Sequence, residues 1–255
     1  MSEARHIVAL SGGKDSSALA LRLAEIEPQD YEFICTPTGN ELPDMVEHWI
    51  KLGYLLGKPI CPVSSGASLQ GEIKRQNMLP NHRARWCTRL LKIEPFKAYI
   101  TSAVPCTVYV GIRSDEVDDR DGVEWEANEG VTRRYPFVEW GWGIEDVTSY
   151  LHERGVEVPA RTDCAACFFQ RLGEWWRLWN ERPEVFREAE DLEKHVSNAR
   201  GKSHTFRSEQ RDSWPAALAG LREEFEAGKV PKGANQMDLD LGTTGRKTMC
   251  SWCAR

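Results

Sequence analysis

Seven consecutive residues near the start of the chain carry groups suited to anion binding: Ser11, Gly12, Gly13, Lys14, Asp15, Ser16 and Ser17. They follow a short apolar run and precede leucines and alanines at helical spacing, which predicts a strand, a turn and a helix. Two glycines let the backbone adopt positive φ, and the unpaired amides at a helix N-terminus favour negative charge. Residues 11–17, the glycine loop, are therefore predicted to bind an anion. An ordinary strand-to-helix turn is the alternative.

Cysteines form the second group of residues suited to chemistry. The chain has eight of them, and four make two C-x-x-C pairs, Cys164 with Cys167 and Cys250 with Cys253. A short C-x-x-C turn lets two thiolates reach one metal, and both zinc and iron–sulfur clusters accept four cysteines. Because no secretion signal precedes the pairs, we expect metal or redox chemistry rather than a disulfide framework. A thioredoxin-like redox pair is the alternative.

Positive charge is concentrated in residues 82–97, the basic segment. It contains five Lys or Arg residues and one Glu, a local charge of +4 in a chain of net charge −6. The cations are Arg83, Arg85, Arg89, Lys92 and Lys97. Such a cluster suits the phosphates of a nucleotide or polynucleotide substrate, whereas the chain as a whole does not attract nucleic acid. A solvated helix face is the alternative reading.

Alternating strand and helix patterns supply the elements that hold these residues. Short apolar runs predict strands, and the apolar spacing of residues 45–56 predicts a helix between two of them. The alternation indicates a doubly wound parallel α/β sheet over residues 1–160, followed by a helical, cysteine-bearing region over 161–255. Cys35 and Cys61 lie on apolar strands, so we expect both to be buried.

The glycine loop resembles the SGGxDS loop of the PP-loop ATP pyrophosphatases, an adenine nucleotide alpha hydrolase-like superfamily. That superfamily includes adenylating sulfur-transfer enzymes and PAPS reductases. The resemblance implies that the loop grips the pyrophosphate of ATP with Mg²⁺, and that Lys14 and Asp15 take part in attack at the α-phosphate. Because reductases usually depart from the second glycine, Gly12-Gly13 favours ATP over a sulfonucleotide.

Two further loops are similar to segments that face the nucleotide in this family. Thr38 and Gly39 belong to one, in which Pro37 stands where the family usually has an aspartate. Gly111 and Arg113 belong to the other. Ligands of open α/β sheets bind beyond the carboxyl ends of the strands, so we expect both loops to flank the glycine loop.

Cys87 lies in a Trp-Cys-Thr segment that resembles the cysteine segment of PAPS reductase-like proteins, although cluster-bearing members have two adjacent cysteines there. The resemblance implies a [4Fe–4S] cluster held by Cys87, Cys164 and Cys167, with Cys250 or Cys253 as the fourth ligand. The remaining cysteine would then be free to carry sulfur. A Zn²⁺ site made by the two C-x-x-C pairs is the alternative.

Together these features predict an ATP pyrophosphatase that adenylates a substrate for sulfur transfer. The acceptor is left open among a tRNA, a DNA phosphate as in phosphorothioation, and a small molecule, with a sulfur donor such as a cysteine desulfurase as partner. Two alternatives are a PAPS-type reductase, whose usual Glu-Cys-Gly-Leu/Ile-His tail is missing, and a non-enzymatic nucleotide-binding subunit with structural zinc. No apolar run is long enough for a membrane helix, which predicts a cytoplasmic protein. The oligomeric state is left open.

Overall fold

The computed structural model of the protein describes residues 4–116, 129–209 and 211–234. The strands are β1 (Arg5–Ala9), β2 (Tyr31–Cys35), β3 (Ile60–Pro62), β4 (Cys106–Tyr109) and β5 (Val131–Arg134). The helices are α1 (Lys14–Ile26), α2 (Pro43–Leu56), α3 (Leu69–Gln76), α4 (Trp86–Thr88), α5 (Glu94–Ser102), α6 (Pro136–Trp140), α7 (Ile144–Glu153), α8 (Leu172–Glu181), α9 (Pro183–Arg200) and α10 (Leu218–Glu226). A π-helical turn, Arg89–Ile93, joins α4 to α5. Within the described ranges, no helix combines the length and apolar character that crossing a membrane requires.

The described strands form one parallel sheet in the order β3-β2-β1-β4-β5. Side chains alternate across β1, so that Ile7 packs with Phe96 and Ile100 of α5 on one face. Val8 packs on the opposite face, in a cluster that includes residues of α1, α2 and α7. Helices on both faces of a parallel sheet confirm the predicted doubly wound α/β class.

The edges of the sheet differ from what the sequence predicts. β5 pairs with β4 from Cys106–Val131 to Tyr109–Arg134, although the Arg-rich residues 131–134 lack the apolar run of a buried strand. At the other edge the expectation for Cys61 is wrong, because the three-residue β3 leaves Cys61 exposed while Cys35 is buried in β2. Edge strands lack a second neighbour, so an apolar residue on them need not be covered.

Helices α8, α9 and α10 share one apolar core with elements from the first half of the chain. Trp175, Phe186 and Leu221 pack in the same cluster as Ile73 of α3 and Trp86 of α4. The tryptophans and phenylalanines at helical spacing in the C-terminal region therefore serve largely as core. This shared core brings the residues around Cys87 and the C-terminal region together, across the predicted boundary at residue 160.

Candidate functional site

The glycine loop is held in shape by hydrogen bonds among its own residues. The Ser16 hydroxyl accepts the Gly12 amide at 3.0 Å, donates to the Gly13 carbonyl at 3.1 Å and lies 3.1 Å from the Ser11 hydroxyl. Gly12 has φ +84°, but Gly13 has φ −71°, so the expectation of positive φ at both glycines is wrong for Gly13. Gly13 instead caps α1 with extended backbone and no side-chain hydrogen bond, which leaves the first helical amides for an anion.

Three side chains of α2, those of Met45, His48 and Trp49, pack against the glycine loop. A Cβ on Gly12 would overlap Met45 Cε and Trp49 Nε1, so no side chain fits there. The Ser17 hydroxyl lies 3.1 Å from His48 Nε2, and both residues are buried. Burial, and then the charge of Lys51, lower the pKa of His48, which keeps the ring neutral.

Ser17 therefore faces α2, although the sequence predicts its hydroxyl as a phosphate contact. The role of His48 is one that the sequence reasoning missed. Its signal was a polar residue on the apolar side of the helix, between Met45 and Leu52.

Arg113 joins the loop that follows β4, residues 110–116, to the glycine loop. A Cβ on Gly111 would lie 3.3 Å from the Asp15 carbonyl, so the two loops are in close contact. Arg113 Nη1 donates to both oxygens of Asp15 at 3.0 Å, and Lys14 Nζ donates to Asp15 Oδ2 at 3.1 Å. Burial alone would lower the pKa of Arg113, but Asp15 and Glu116 outweigh it and the pKa is raised. Arg113 thus orients Asp15 from a buried position.

The carboxylates near Arg113 are the oxygen ligands available to Mg²⁺. Arg113 also pairs with Asp115 at 2.9 Å and Glu116 at 2.8 Å, while Asp15 keeps about a fifth of its side chain exposed. A nucleotide-bound Mg²⁺ takes one or two protein carboxylates and otherwise phosphate and water, which this set can supply. Residues 117–128, which the sequence shows to be rich in Asp and Glu, lie outside the described residues.

Residues 161–167, which carry the first C-x-x-C pair, are here called the cysteine loop. They are bound by the loop that follows β2, residues 36–42. The Thr38 hydroxyl donates to Glu41 Oε1 at 2.6 Å and lies 3.1 Å from Cys164 Sγ. The Asn40 carbonyl accepts the Ala165 amide at 2.7 Å, and Asn40 Oδ1 accepts the Ala166 amide at 3.0 Å. Asn40 and Glu41 therefore organise the cysteine loop rather than cap α2, which begins after Leu42.

The cysteine loop also reaches the glycine loop. A Cβ on Gly13 would lie 3.6 Å from Thr162 Oγ1, an ordinary contact distance. Arg161 donates to Asp163 at 3.0 and 2.9 Å and to the Cys164 carbonyl at 2.9 Å. Burial opposes the charge of Arg161, but Asp163 outweighs it and raises its pKa. The largely buried Arg161 side chain thus lies within electrostatic reach of Cys167 and donates to the backbone of Cys164.

The basic segment packs beside the end of the cysteine loop. The His82 ring makes edge contacts with Phe168 and Phe169 at 5.1 and 4.8 Å, and the Arg85 guanidinium lies 5.3 Å from the centre of the Phe169 ring. Cys87 packs against the same apolar cluster as Cys164.

The cations of the basic segment do not all share one environment. Arg89 is exposed and pairs with Glu94 at 2.8 Å, which fits the solvated-face reading for that residue. Arg83 is exposed, and Lys92 is half-buried in the π-helical turn.

Among the described residues, no disulfide joins two of the six cysteines, and Cys87 and Cys164 pack against the same apolar cluster. In residues 4–116, 129–209 and 211–234, no three His, Cys, Asp or Glu side chains form a group that could hold a metal ion. Cys250 and Cys253 lie outside the described residues, so the four-cysteine site stays a prediction. The donor chemistry fits a cluster, because a four-iron cube accepts thiolates set farther apart than a single ion does.

The family model of the phosphoadenosine phosphosulfate reductase domain matches residues 5–175, more than half of the chain. Two uncharacterized proteins of Methanocaldococcus jannaschii are also similar. MJ0973 is 27% identical over 194 residues, covering 71% of this chain and 46% of that protein. MJ0066 is 24% identical over 200 residues, covering 73% and 41%. The chain spans less than half the length of these curated relatives.

Two solved structures are similar at low identity. Phosphoadenylyl-sulfate reductase from Candida auris, in a phosphate complex, has a TM-score of 0.49 and 18% identity, covering 62% of this chain and 76% of that one. U34-tRNA thiolase NcsA from Methanococcus maripaludis, with its [4Fe–4S] cluster, has a TM-score of 0.46 and 17% identity, covering 100% and 82%. At these scores neither likeness carries an argument about function.

Proposed function

The chain belongs to the phosphoadenosine phosphosulfate reductase domain family of sulfur-related, nucleotide-using enzymes, and we propose that it is an ATP pyrophosphatase that adenylates an acceptor for sulfur transfer. ATP as the nucleotide, the adenylation step and the acceptor are all parts of this proposal.

One observation carries the proposal: the loop with two thiols lies beside the anion-binding loop. Thr162 lies against Gly13, and Cys164 lies against Thr38. An acceptor activated over the glycine loop would therefore stand next to sulfur ligands. A nucleotide-binding protein without sulfur chemistry has no need for that contact.

The residues of the glycine loop suit the first step, in which an acceptor oxygen attacks the α-phosphorus of ATP. The bond to the bridging oxygen breaks, pyrophosphate leaves, and the acceptor becomes an adenylate. Lys14 and the free amides at the start of α1 would stabilise the charge on the leaving pyrophosphate. Asp15, fixed by Arg113 and Lys14, is placed to orient Lys14 or a Mg²⁺-bound water.

The cysteines suit the second step, in which the terminal sulfur of a cysteine persulfide attacks the activated atom of the acceptor, the bond from that atom to the adenylate oxygen breaks, and AMP leaves with the oxygen. An external thiol would then reduce the resulting disulfide and release the thiolated acceptor. Cys87, Cys164 and Cys167, with Cys250 or Cys253, would hold the cluster, and the remaining cysteine would carry sulfur. When bound, the cluster would supply iron–sulfur chemistry beside the activated acceptor. The sulfur would come from a donor such as a cysteine desulfurase.

The basic segment supports an anionic acceptor. Arg85, His82 and Phe169 combine one cation with aromatic rings beside the cysteine loop, which suits a base and its phosphate in a tRNA or in DNA. A small anionic acceptor would use fewer of these groups, so the salt dependence of acceptor binding separates the two classes.

Calorimetric titration with ATP and with PAPS tests the choice of nucleotide. We expect ATP to bind, and Lys14→Ala to weaken binding by about 1.5–3 kcal/mol, since charge-assisted hydrogen bonds contribute that much. Lys74→Ala, at an exposed position of α3, should leave ATP affinity unchanged. Binding of PAPS without ATP would instead support a PAPS-type reductase, and ATP binding without turnover would support a non-enzymatic subunit.

A further inference from the structure

One exposed arginine lies beside the basic segment although it is far from that segment in the chain. Arg211 follows α9, and its Nη1 donates to the Gln170 carbonyl at 3.1 Å. Gln170 comes directly after Phe169, whose ring contacts His82 and Arg85 of the basic segment. Arg211 therefore joins this group from a part of the chain beyond the family match, which ends at residue 175.

The charge of Arg211 acts on the same imidazole ring as the charge of Arg85. Partial burial, then the charge of Arg211 and then that of Arg85 lower the pKa of His82. Two guanidinium groups that both oppose protonation of one ring are held near each other. Such like charges repel, and an anion bound between them relieves the repulsion.

The surrounding contacts fix the position of Arg211. Gln170 is fully buried, and its side-chain amide donates to the Ala165 carbonyl of the cysteine loop. On the other side, the buried Arg207 donates to Asp212 at 2.7 Å, which orders the backbone next to Arg211. Because an arginine has five N–H donors, one bond to a carbonyl leaves donors for a phosphate.

We propose that Arg211 is a further residue of the acceptor site, where it binds a backbone phosphate of a polynucleotide acceptor. This inference rests on the proposed function, and it selects a polynucleotide over a small molecule. The planar guanidinium fork of an arginine matches the oxygens of a phosphate in geometry as well as in charge.

The place of Arg211 relative to the cysteine loop favours a long acceptor. Thr162, near the start of this loop, lies close to Gly13, whereas Arg211 is bonded to Gln170, beyond the end of the loop at Cys167. An acceptor that reacts over the glycine loop and also binds Arg211 must extend past both thiols. A chain of nucleotides extends in this way and carries a phosphate at every step, whereas a small anion binds at one place only.

Binding of labelled bulk tRNA, single-stranded DNA and duplex DNA to the full chain, measured by fluorescence anisotropy over a range of salt concentrations, tests the proposal. We expect Arg211→Gln to raise the Kd about fivefold and to reduce the slope of log K against log salt by about one, since one phosphate contact is lost. Arg211→Lys should keep the slope because the charge remains, but it should bind more weakly than the wild type because an ammonium group lacks the fork. The tRNA and DNA arms separate two sources of the same backbone phosphate.

Arg154→Gln is the matched control. It removes the same charge from an exposed residue that pairs with Glu25, near the end of α1 that lies away from the glycine loop. We expect its Kd and its salt slope to equal those of the wild type. ATP affinity should be the same in all three variants, which shows that the fold is kept.

A wild type that binds none of these polynucleotides would overturn the proposal, while release of pyrophosphate with a small acceptor would still support the proposed function. Polynucleotide binding that is unchanged in Arg211→Gln would also overturn it, as would competition by poly-glutamate as strong as that by DNA. If Arg211→Gln weakens polynucleotide binding in a protein that does not bind ATP, the contact made by Arg211 is supported and the ATP pyrophosphatase is contradicted.

Discussion

The glycine loop and the cysteine loop lie against each other, yet they are stabilised in opposite ways. The glycine loop is closed by the Ser16 hydroxyl, which bonds to Ser11, Gly12 and Gly13 of the same loop. The cysteine loop is held by Thr38 and Asn40, both 126 residues away from the partners they contact in it. The glycine loop is therefore closed mainly by bonds among its own residues, with α2 and Arg113 packed against it, whereas the cysteine loop depends on contacts that form only in the complete fold.

This difference indicates that nucleotide binding and sulfur chemistry depend on different parts of the fold. A locally closed loop keeps its shape whenever α1 and α2 are packed, so nucleotide binding should survive damage to the cysteine loop. Damage to the glycine loop should, in contrast, disturb the cysteine loop, because Thr162 lies close to Gly13. Variants that affect one loop and spare the other therefore test whether the two loops act independently.

The largest effect is expected from the cysteines. Anaerobically purified protein should be brown and contain iron, and Cys164→Ser or Cys167→Ser should remove the iron altogether, because each takes away a thiolate ligand. Iron content and the absorbance near ~400 nm measure this, the band being that of thiolate-bound iron–sulfur. Cys106→Ser, buried between β4 and α5, is the control that should keep the iron.

If the comparison is right, ATP affinity should be unchanged in Cys164→Ser. Colourless wild-type protein with one zinc that is insensitive to Cys87→Ser would replace the cluster by a structural zinc site.

Gly12→Ala should have the next largest effect. The new methyl group would overlap Met45 and Trp49 and would need φ +84°, so we expect a loss of about 2–4 kcal/mol in unfolding free energy together with loss of ATP binding. Gly13→Ala is the matched control, because φ is −71° and the nearest side-chain atoms are at 3.6 Å. Chemical denaturation and calorimetry measure both variants. Equal losses at the two glycines would contradict the geometry of the loop.

Asn40→Ala tests the long-range support of the cysteine loop. It leaves the Ala166 amide without its buried acceptor, at a cost of about 1–3 kcal/mol. We expect lower iron content with normal ATP affinity. Asn81→Ala is the control, since Asn81 also accepts two amides, at 2.9 and 3.0 Å, but in an exposed turn. A variant of Asn40 that loses ATP binding as strongly as iron would show that the two loops are not separable.

The smallest effect concerns pH and His48. Burial lowers the pKa of His48 in the folded protein below its unfolded value of about 6.5, so its stabilising contribution is present above that pH and lost as pH falls through the folded pKa. Relative to His48→Gln, the wild type should lose unfolding free energy as pH falls from the unfolded pKa through the folded one. His152→Gln, at an exposed position, should follow the wild type. If the unfolding free energy of the wild type and of His48→Gln depended on pH in the same way, His48 would not be the neutral partner of Ser17.

The same contrast explains what could be predicted from the sequence. The parallel sheet and the glycine loop follow from local patterns, namely apolar runs, glycines and helical spacing. Ser17 facing His48, and Asn40 binding Ala165 and Ala166, are tertiary contacts that no local pattern specifies. β5 was not predicted because an edge strand needs no apolar run, and the exposure of Cys61 has the same origin.

The fate of ATP labelled at its α-phosphate tests the central claim most directly. Incubated with Mg²⁺, a sulfur donor and candidate acceptors, the protein should transfer the label to an acceptor adenylate and then to AMP, with pyrophosphate as the other product. Lys14→Ala should suppress both products, while Cys164→Ser should stop sulfur incorporation but still release pyrophosphate. Release of ADP and phosphate instead, or consumption of PAPS with production of sulfite, would contradict an adenylating enzyme.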